Sequence, residues 1–416
     1  MRRSQSWIRA GAVVAAVALA AALAVSAAAG RFPLWLRAAP GGAGRPSATA
    51  GAGTSAQATG QPAAGTPSPG PEPSGSPALT LPQLAGQRVI YSYGGLRPPA
   101  ALLRLISHGE AGGVIFFSQN VSSDKQIARV IAELDQANAS PLNPVRAPLL
   151  LMTDQEGGLV RRVPGAPLLS ERQIAESADP AAQATAAGSG AAQNLRGLGM
   201  NVNLAPVLDV YRQPDDFDDQ FQRSYSMNPA VVAELGAGFI TAQQGAGVAA
   251  TAKHFPGLGA AARLQNTDKR PVTLNVPLAT IRGVDEMPYR AAIAAGVRLI
   301  MVSWAVYPAL DPGRPAGLSP AIVGGELRQR LGFTGVTITD ALEAGALRAY
   351  GAYPNRSLLA AEAGMDLILC SAQNVSEGGQ AAAGLEKGYQ DGALARPGFL
   401  AAVSRVLALR ASLGSS

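Results

Sequence analysis

Eight short apolar runs, each long enough for one β-strand, recur along the chain from residue 88 onward and alternate with amphipathic stretches. The runs occupy 88–91, 113–117, 148–153, 201–204, 249–253, 299–303, 335–339 and 366–370. Helical patterns lie between them, for example at 124–137, 229–244, 278–295 and 319–331. Most of the strand runs are apolar at consecutive positions, which is typical of parallel strands covered by helices.

This alternation predicts an α/β fold with a parallel sheet, and the count of eight strands predicts a closed (β/α)8 barrel of the TIM type. An open doubly wound sheet is the alternative. No glycine-rich dinucleotide-binding fingerprint follows the first strand, which disfavours that alternative. In a barrel, the chemistry is expected at the carboxyl ends of the strands.

The first 79 residues have a different composition from the rest. Arg2, Arg3 and Arg9 precede an uncharged run at 10–30, close to the ~20 residues that span a bilayer. We interpret 1–37 as a membrane anchor or as a cleaved secretory signal. Residues 38–79 are almost entirely Ala, Gly, Pro, Ser and Thr and are predicted to be a disordered linker. This leaves 80–416 as a single (β/α)8 domain that works outside the cytoplasmic membrane, tethered or secreted.

The formal net charge of +6 belongs mostly to the N-terminal part. Residues 1–79 hold six arginines and one glutamate, so the remainder carries only +1. A nearly neutral domain has no electrostatic footprint for nucleic acid. Cys370 is the only cysteine, so the chain can form no internal disulfide and lacks the usual cysteine-based zinc spacings. The sequence implies no metal or organic cofactor, and it leaves the oligomeric state open.

Polar side chains accumulate where the predicted strands end. If the strands form a barrel, these residues meet at one edge. They are Asp154 and Glu156 after the third strand, Asp209 after the fourth, Lys253 and His254 at the fifth, Ser303 and Trp304 at the sixth, and Asp340 at the seventh.

Five segments carry motifs at or near these strand ends. They read Asp154-Gln-Glu-Gly-Gly158 with Arg161-Arg162, Asn203-Leu-Ala-Pro-Val-Leu-Asp-Val210, Lys253-His-Phe-Pro-Gly257, Leu318-Ser-Pro320, and Leu331-Gly-Phe-Thr-Gly-Val-Thr-Ile-Thr-Asp-Ala-Leu342. In unbroken order over roughly 85–370, they resemble glycoside hydrolase family 3 in its β-N-acetylglucosaminidase branch. The resemblance is to the single-domain members, which have no added C-terminal sandwich domain.

The resemblance implies a retaining glycosidase in which Asp340 is the nucleophile and forms a covalent glycosyl-enzyme. Asp340 follows a buried apolar run, where a lone carboxylate is costly unless it faces a polar pocket. The alternative is an aspartate that caps the following helix.

The resemblance also implies a set of sugar-binding residues. A carboxylate accepts hydrogen bonds from sugar hydroxyls strongly, and the basic side chains supply donors. Glu156 is expected to orient its neighbours. The alternatives are an ordinary surface arginine at 223 and a satisfied strand-end histidine at 254. The substrate-binding residues implied are Asp154, Arg162, Arg223, Lys253 and His254.

The acid/base position departs from the family pattern. Single-domain members typically carry Asp-Ser-His on the loop after the Lys-His motif, whereas this chain has Asn266-Thr-Asp268. Asp268 stands where the histidine would be, and a carboxylic acid with a raised pKa can protonate a glycosidic oxygen. We therefore predict Asp268 as the acid/base. The alternative is a solvated loop carboxylate in a weak or inactive enzyme. Trp304 is expected either to stack on a sugar or to be buried in the barrel.

The function that the resemblance implies is hydrolysis of terminal β-linked N-acetylglucosamine, from peptidoglycan fragments or other amino-sugar glycosides. The carbohydrate is the only partner implied, apart from a membrane contacted through the N-terminal segment. Two alternatives stay open: a β-glucosidase or glycosyl phosphorylase on the same scaffold, and a catalytically silent sugar-binding envelope protein.

Overall fold

The computed structural model describes residues 79–414. Eight strands form one sheet: β1 (Val89–Tyr91), β2 (Gly113–Ile115), β3 (Leu150–Thr153), β4 (Val202–Asn203), β5 (Ala249–Phe255), β6 (Leu299–Val302), β7 (Val336–Thr339) and β8 (Ile368–Leu369). Their order is β7-β6-β5-β4-β3-β2-β1-β8, and all neighbours are parallel. The edge strands β7 and β8 meet at a parallel bridge between Ile338 and Leu367. The prediction of an eight-stranded parallel barrel is confirmed, as a nearly closed sheet.

Two apolar layers hold the barrel together, because side chains alternate between the two faces of each strand. Ile90, Met152 and Ile338 belong to a cluster that fills the barrel interior. Val89 and Tyr91 flank Ile90 along β1 and lie on the other face of the strand, and they belong to a second and larger cluster between strands and helices. Burial on both faces explains why the strands read as continuous apolar runs.

The helices surround this sheet, and two short hairpins follow β3 and β6. The hairpin strands are Gln155–Gly157 with Val160–Arg161, and Val306–Tyr307 with Asp311–Pro315. The α-helices are Leu81–Gly86, Ala100–Ser107, Asp124–Asn138, Glu171–Ala175, Pro180–Leu198, Pro229–Gly245, Leu278–Thr280, Met287–Ala294, Tyr353–Ala363, Val375–Gln390 and Arg396–Leu413. Short 3-10 helices lie at Ser118–Asn120, Asp219–Phe221, Ala316–Leu318 and Gly345–Tyr350.

Two predicted helices differ in detail from the structure. The helix expected at 278–295 is broken by a π-helical turn at Ile281–Asp285, immediately before Pro288 in the next helix, where the missing N–H prevents continuous bonding. The helix expected at 319–331 is a π-helix at Ala321–Arg330. It contains Gly324 and Gly325, which weaken an ordinary α-helix.

The predicted segments at 1–37 and 38–79 lie outside the described residues, apart from Leu79. Between residues 79 and 414, no helix combines the length and the apolar character needed to cross a membrane. The boundary of the folded domain at residue 80 stays a prediction.

Asp366 joins several elements at the amino end of the barrel, on the side away from the strand ends predicted to carry the chemistry. It is fully buried, and its oxygens accept from Arg405 Nη2 at 2.7 Å, from Arg328 Nη2 at 2.5 Å and from the backbone N–H of Thr337 at 2.9 Å. The carboxylate therefore ties β7 to the helix Arg396–Leu413 and to the π-helix before β7.

We expect Asp366→Ala to lower the free energy of unfolding by about 3 kcal/mol, because it leaves guanidinium groups without their buried anion. The measurement is denaturant unfolding. Asp391→Ala is the control, since it removes a largely exposed partner of Lys387 and should cost at most ~0.5 kcal/mol. Equal losses in the two variants would contradict this role of Asp366.

Candidate active site

A cavity of about 560 Å³ opens at the carboxyl end of the barrel. All seven residues predicted from the sequence as catalytic or substrate-binding line it: Asp154, Arg162, Arg223, Lys253, His254, Asp268 and Asp340. They come from strand ends and loops that are far apart in the sequence. The structure therefore brings the predicted set together at the edge where a barrel places its chemistry.

Lys253 lies on the floor of this cavity. The sequence suggested that β5 ends at this residue, but the strand continues to Phe255. Lys253 Nζ lies 2.7 Å from Asp154 Oδ1 and 2.7 Å from Glu156 Oε1, and its side chain is only 2% exposed. Burial alone would lower the pKa of Lys253, but the two carboxylates outweigh burial and raise it. The ammonium group is therefore charged at any physiological pH.

Glu156 bridges Lys253 to a second cation. Its carboxylate accepts two hydrogen bonds from Arg223, at 2.8 Å to Nε and 2.9 Å to Nη2. Burial opposes ionisation of Glu156, but the charges of Arg223 and Lys253 prevail and lower its pKa to about 2. Arg223 is 16% exposed and also donates to Asp218 at 3.0 Å. It is thus part of a buried network, and the alternative of an ordinary surface arginine is wrong.

His254 is held by a buried carboxylate behind it. Its Nδ1 lies 2.7 Å from Asp209 Oδ2, and Asp209 also accepts from the backbone N–H of His254 and Leu258. Burial would lower the pKa of His254, but Asp209 raises it. The contact fixes the ring and leaves Nε2 as the nitrogen available to a ligand. Asp209 therefore acts through His254.

Asp218, next to this pair, is a residue that the sequence reasoning missed. Burial and the charge of the neighbouring Asp209 raise the pKa of Asp218 to about 7. Among residues 79–414, only Asp209, Asp218 and His254 bring ligand atoms close enough to hold a metal ion, within 4.8 Å of one another. Hydrogen bonds within the group and to Arg223 account for this arrangement.

Asp154 and Arg162 form the wall next to Lys253. The hairpin after β3 carries both: the N–H of Arg162 donates to the backbone oxygen of Asp154 at 3.2 Å and to Gln155 Oε1 at 3.1 Å. Arg162 Nε lies 3.8 Å from Asp154 Oδ2 and has no hydrogen-bond partner in the described part of the chain. This wall therefore offers one carboxylate acceptor and one unused guanidinium donor to a ligand.

Asp340 faces the cavity from the end of β7. Its Oδ1 accepts from the backbone N–H of Ala341 at 2.8 Å, and no Lys, Arg or His lies within 4.0 Å of its carboxylate in residues 79–414. Trp304 lies beneath this segment and is fully buried, with its indole N–H donating to Ala341 O at 2.8 Å. Of the two roles considered for Trp304, the structure supports the buried one.

Asp268 reaches the same cavity from the loop after β5. The loop is bonded to the segment that follows Asp340, through Gly345 N–H to Asp268 O at 2.7 Å and Ala346 N–H to Thr267 O at 2.9 Å. Gly345 is required there, because a Cβ would lie 2.2 Å from the carbonyl oxygen of Lys269. The Asp268 side chain stays exposed at the mouth. Partial desolvation and repulsion from Asp340 raise its pKa to about 6.

Other lining residues were not found from the sequence. Glu343 and Ser371 extend the wall next to Asp340, and Phe217 and Phe221 form an edge-to-face pair at the mouth, with ring centroids 6.1 Å apart. Glu343 could have been found as a second acidic residue shortly after the end of β7. Phe217 precedes the short 3-10 helix that Phe221 ends, and no periodic pattern in this segment points to either residue.

Comparison with known proteins identifies the fold family. The model of the glycosyl hydrolase family 3 N-terminal domain matches residues 80–409. A protein of Arthroderma benhamiae described as a secreted glycosyl hydrolase is 46% identical over 340 residues, which are 81% of this chain and 95% of that protein. A β-hexosaminidase of Thioalkalivibrio sulfidiphilus is 35% identical over 274 residues, covering 64% of this chain and 75% of the relative.

A solved structure gives the same picture. The glycoside hydrolase family 3 β-N-acetylglucosaminidase of Paenibacillus sp. superposes with a TM-score of 0.76 at 34% identity, over 81% of this chain. The superposition spans 63% of that chain, less than two thirds of its length. The similarity therefore extends over most of this chain but over only part of the Paenibacillus protein.

The low pKa of Glu156 predicts a specific dependence of stability on pH. A carboxyl with a pKa of about 2 in the folded chain and 4.5 as its ordinary value stabilises the fold above pH 4.5, and this contribution is lost as the pH falls toward 2. We expect this loss to be ~3 kcal/mol in the wild type. In Glu156→Gln the free energy of unfolding should fall less steeply over the same window.

Urea unfolding at a series of pH values measures this difference. Glu176→Gln is the matched control, because Glu176 is 64% exposed in its pair with Arg172 and its removal should leave the slope unchanged. If Glu156→Gln kept the wild-type slope between pH 4.5 and 2, the charge of Glu156 would not be what stabilises the network.

Proposed function

Because the chain belongs to glycosyl hydrolase family 3, we propose that it is a retaining glycosidase that releases terminal β-linked N-acetylglucosamine from peptidoglycan fragments or other amino-sugar glycosides. One observation carries the proposal. Asp340, a carboxylate without a cationic partner among residues 79–414, lies in the same cavity as the buried Lys253 network and as a second carboxyl group, Asp268, whose pKa is raised.

The Lys253 side of the cavity supports binding of the sugar ring. Asp154 is an acceptor for two hydroxyl groups, and Lys253, Arg162 and His254 supply donors around it. Since Lys253 and His254 are already fixed by Glu156 and Asp209, little side-chain entropy is lost when a sugar binds. Arg223 acts through Glu156, which it holds by two hydrogen bonds. It is a positioning residue.

The two remaining carboxyl groups divide the chemistry. An oxygen of Asp340 attacks the anomeric carbon while Asp268 gives its proton to the departing glycosidic oxygen, which yields a glycosyl ester on Asp340 and a free alcohol. Water then attacks the anomeric carbon while Asp268 takes a proton from that water molecule. The ester bond breaks, the hemiacetal leaves with its original configuration, and Asp340 is again a carboxylate.

The amino-sugar specificity is supported by the relatives. The Thioalkalivibrio sulfidiphilus protein is described as a β-hexosaminidase and the Paenibacillus protein as a β-N-acetylglucosaminidase. Work outside the cytoplasmic membrane, tethered or secreted, is supported by the composition of residues 1–37 and by the Arthroderma benhamiae relative, which is described as secreted.

We expect Asp340→Asn to reduce turnover of an aryl β-N-acetylglucosaminide on the order of a thousandfold or more, because an amide cannot form the covalent intermediate. The asparagine oxygen can still accept from Ala341 N–H, so thermal unfolding should be unchanged. Steady-state kinetics of the full chain measure the effect, with Asp391→Asn as a control remote from the cavity. Wild-type turnover in Asp340→Asn would remove Asp340 as nucleophile.

Asp268 is tested by the pH profile on N,N′-diacetylchitobiose, whose sugar leaving group must be protonated. A general acid with a pKa of about 6 is active in its protonated form, so kcat/KM should fall as the pH rises above 6. In Asp268→Ala this limb should disappear, with kcat/KM reduced by about 10²- to 10⁴-fold.

A second substrate separates loss of the acid from loss of the fold. An aryl N-acetylglucosaminide needs little protonation, so Asp268→Ala should form the intermediate and regain rate with added azide. Wild-type activity of Asp268→Ala on diacetylchitobiose would rule out Asp268 as acid/base. If the wild type also binds the sugar but hydrolyses neither substrate, the chain would instead be a silent sugar-binding protein.

A further inference from the structure

Charge is unevenly distributed around the cavity wall. The cations Arg162, Arg223 and Lys253 all lie beside the carboxylates Asp154 and Glu156. The other wall carries three further acidic residues, and no Lys, Arg or His of residues 79–414 lies within 4.0 Å of their side-chain oxygens. These residues are Asp268, Asp340 and Glu343.

Glu343 is the member of this wall to which the proposed reaction gives no role. It lies three residues beyond Asp340 and is half-buried. Its Oε1 accepts from Ser371 Oγ at 2.7 Å, and its Oε2 accepts from Ser371 N–H at 3.4 Å. Ser371 follows β8 and also lines the cavity. The carboxylate is therefore fixed against the wall by one neighbouring residue.

Behind Glu343 lies a fully buried second acid, Glu377, in the first turn of the helix Val375–Gln390. Its Oε2 accepts from the N–H of Ala372 at 2.8 Å. Burial, together with the charge of Glu343 and a hydrogen bond to it, raises the pKa of Glu377 to about 8. Glu377 can therefore hold a proton near neutral pH, and Glu343, fixed by Ser371, is the carboxyl group of the pair that lines the cavity.

Glu343 lies on the side where the leaving group departs. The loop that carries Asp268 is hydrogen-bonded to Gly345 and Ala346, directly after Glu343 in the chain. An acid that protonates the glycosidic oxygen must contact the leaving group, so Glu343 borders the same space. Lys269 and Arg270 follow Asp268 but are exposed to solvent, where water and salt screen their charges.

We infer that Glu343, beside the proton donor Asp268, forms a leaving-group subsite that favours an amino sugar with a free ammonium group and disfavours one that carries a carboxylate. The favoured substrate class is an N-acetylglucosaminyl unit β-linked to glucosamine, as in partly deacetylated chitin-like oligosaccharides. An N-acetylmuramic acid leaving group, with its lactyl carboxylate, is repelled. This inference rests on the proposed function and narrows its substrate class: within the amino-sugar glycosides, leaving sugars with a free ammonium group are favoured over peptidoglycan fragments whose muramic acid has a free lactyl carboxylate.

The experiment compares three disaccharides that share a non-reducing N-acetylglucosamine and differ in the leaving sugar: glucosamine, N-acetylglucosamine and N-acetylmuramic acid. The full chain is assayed at about pH 6, where a sugar amine is protonated. We expect kcat/KM to decrease in that order, with about tenfold between the cationic and the anionic leaving group. Raising the salt concentration from low to high should shrink this ratio, because screening weakens charge selection.

The three leaving sugars also differ in intrinsic reactivity, but this difference is the same in every variant. Comparing the cationic-to-anionic ratio of kcat/KM between variants therefore isolates the effect of the Glu343 charge. Glu343→Gln should lower the cationic-to-anionic ratio by about fivefold. Glu377→Gln should leave the ratio unchanged, because an amide replaces a protonated carboxyl and can keep both hydrogen bonds. Glu362→Gln, an exposed position outside the cavity lining, controls for net charge.

A ratio that is equal in Glu343→Gln and wild type, or a wild-type preference for the anionic sugar, overturns the inference. A wild-type ratio that does not respond to salt also overturns it, which keeps the test decisive if Glu343→Gln fails to fold. Turnover of an aryl β-N-acetylglucosaminide tests the proposed function independently of the subsite. If that substrate is hydrolysed but the cationic-to-anionic ratio changes neither with salt nor in Glu343→Gln, only the subsite inference fails. If no N-acetylglucosaminide is hydrolysed, both fail.

Discussion

The buried pairing of Lys253 with Asp154 and Glu156 is the contact on which the arrangement of the cavity depends. An ammonium group that is 2% exposed would be prohibitively costly without anionic partners. The partners come from the hairpin after β3, and Glu156 in turn requires Arg223 from a distant loop. Removing any one member leaves an uncompensated charge in the barrel mouth. The network therefore sets the geometry of one half of the site and makes that half rigid.

For several carboxyl groups behind the cavity, burial raises the pKa instead of being outweighed by neighbouring cations. Glu171 is buried, and burial with the nearby charge of Glu156 raises its pKa well above the ordinary value. Asp285 pairs with Arg212 at 2.5 Å, yet burial still raises its pKa to about 7. The pKa values of Asp218 and Glu377 are likewise raised, to about 7 and about 8, so these buried carboxyl groups hold their protons to a higher pH than exposed ones do.

The sequence revealed the barrel because strands buried on both faces leave continuous apolar runs, and it revealed the site because a barrel places strand ends together. It could not reveal pairings that depend on closure of the fold. Glu343 and Glu377 are 34 positions apart in the sequence and meet only because β7 and β8 close the sheet. The π-helix at Ala321–Arg330 was also beyond reach, since its apolar positions equally suit an α-helix.

In the proposed mechanism, the position of Asp268 links its protonation to the state of Asp340. In the free enzyme the carboxylate of Asp340 helps to raise the pKa of Asp268 to about 6, which favours the protonated form that an acid needs. Once Asp340 becomes a neutral glycosyl ester, that repulsion disappears and the pKa of Asp268 falls. Loss of its proton is then favoured at the step in which it must act as a base. The change in Asp268 therefore follows from the covalent step itself. The loop is bonded to the segment after Asp340 through backbone groups alone, which leaves the Asp268 carboxyl free to alternate between the two roles.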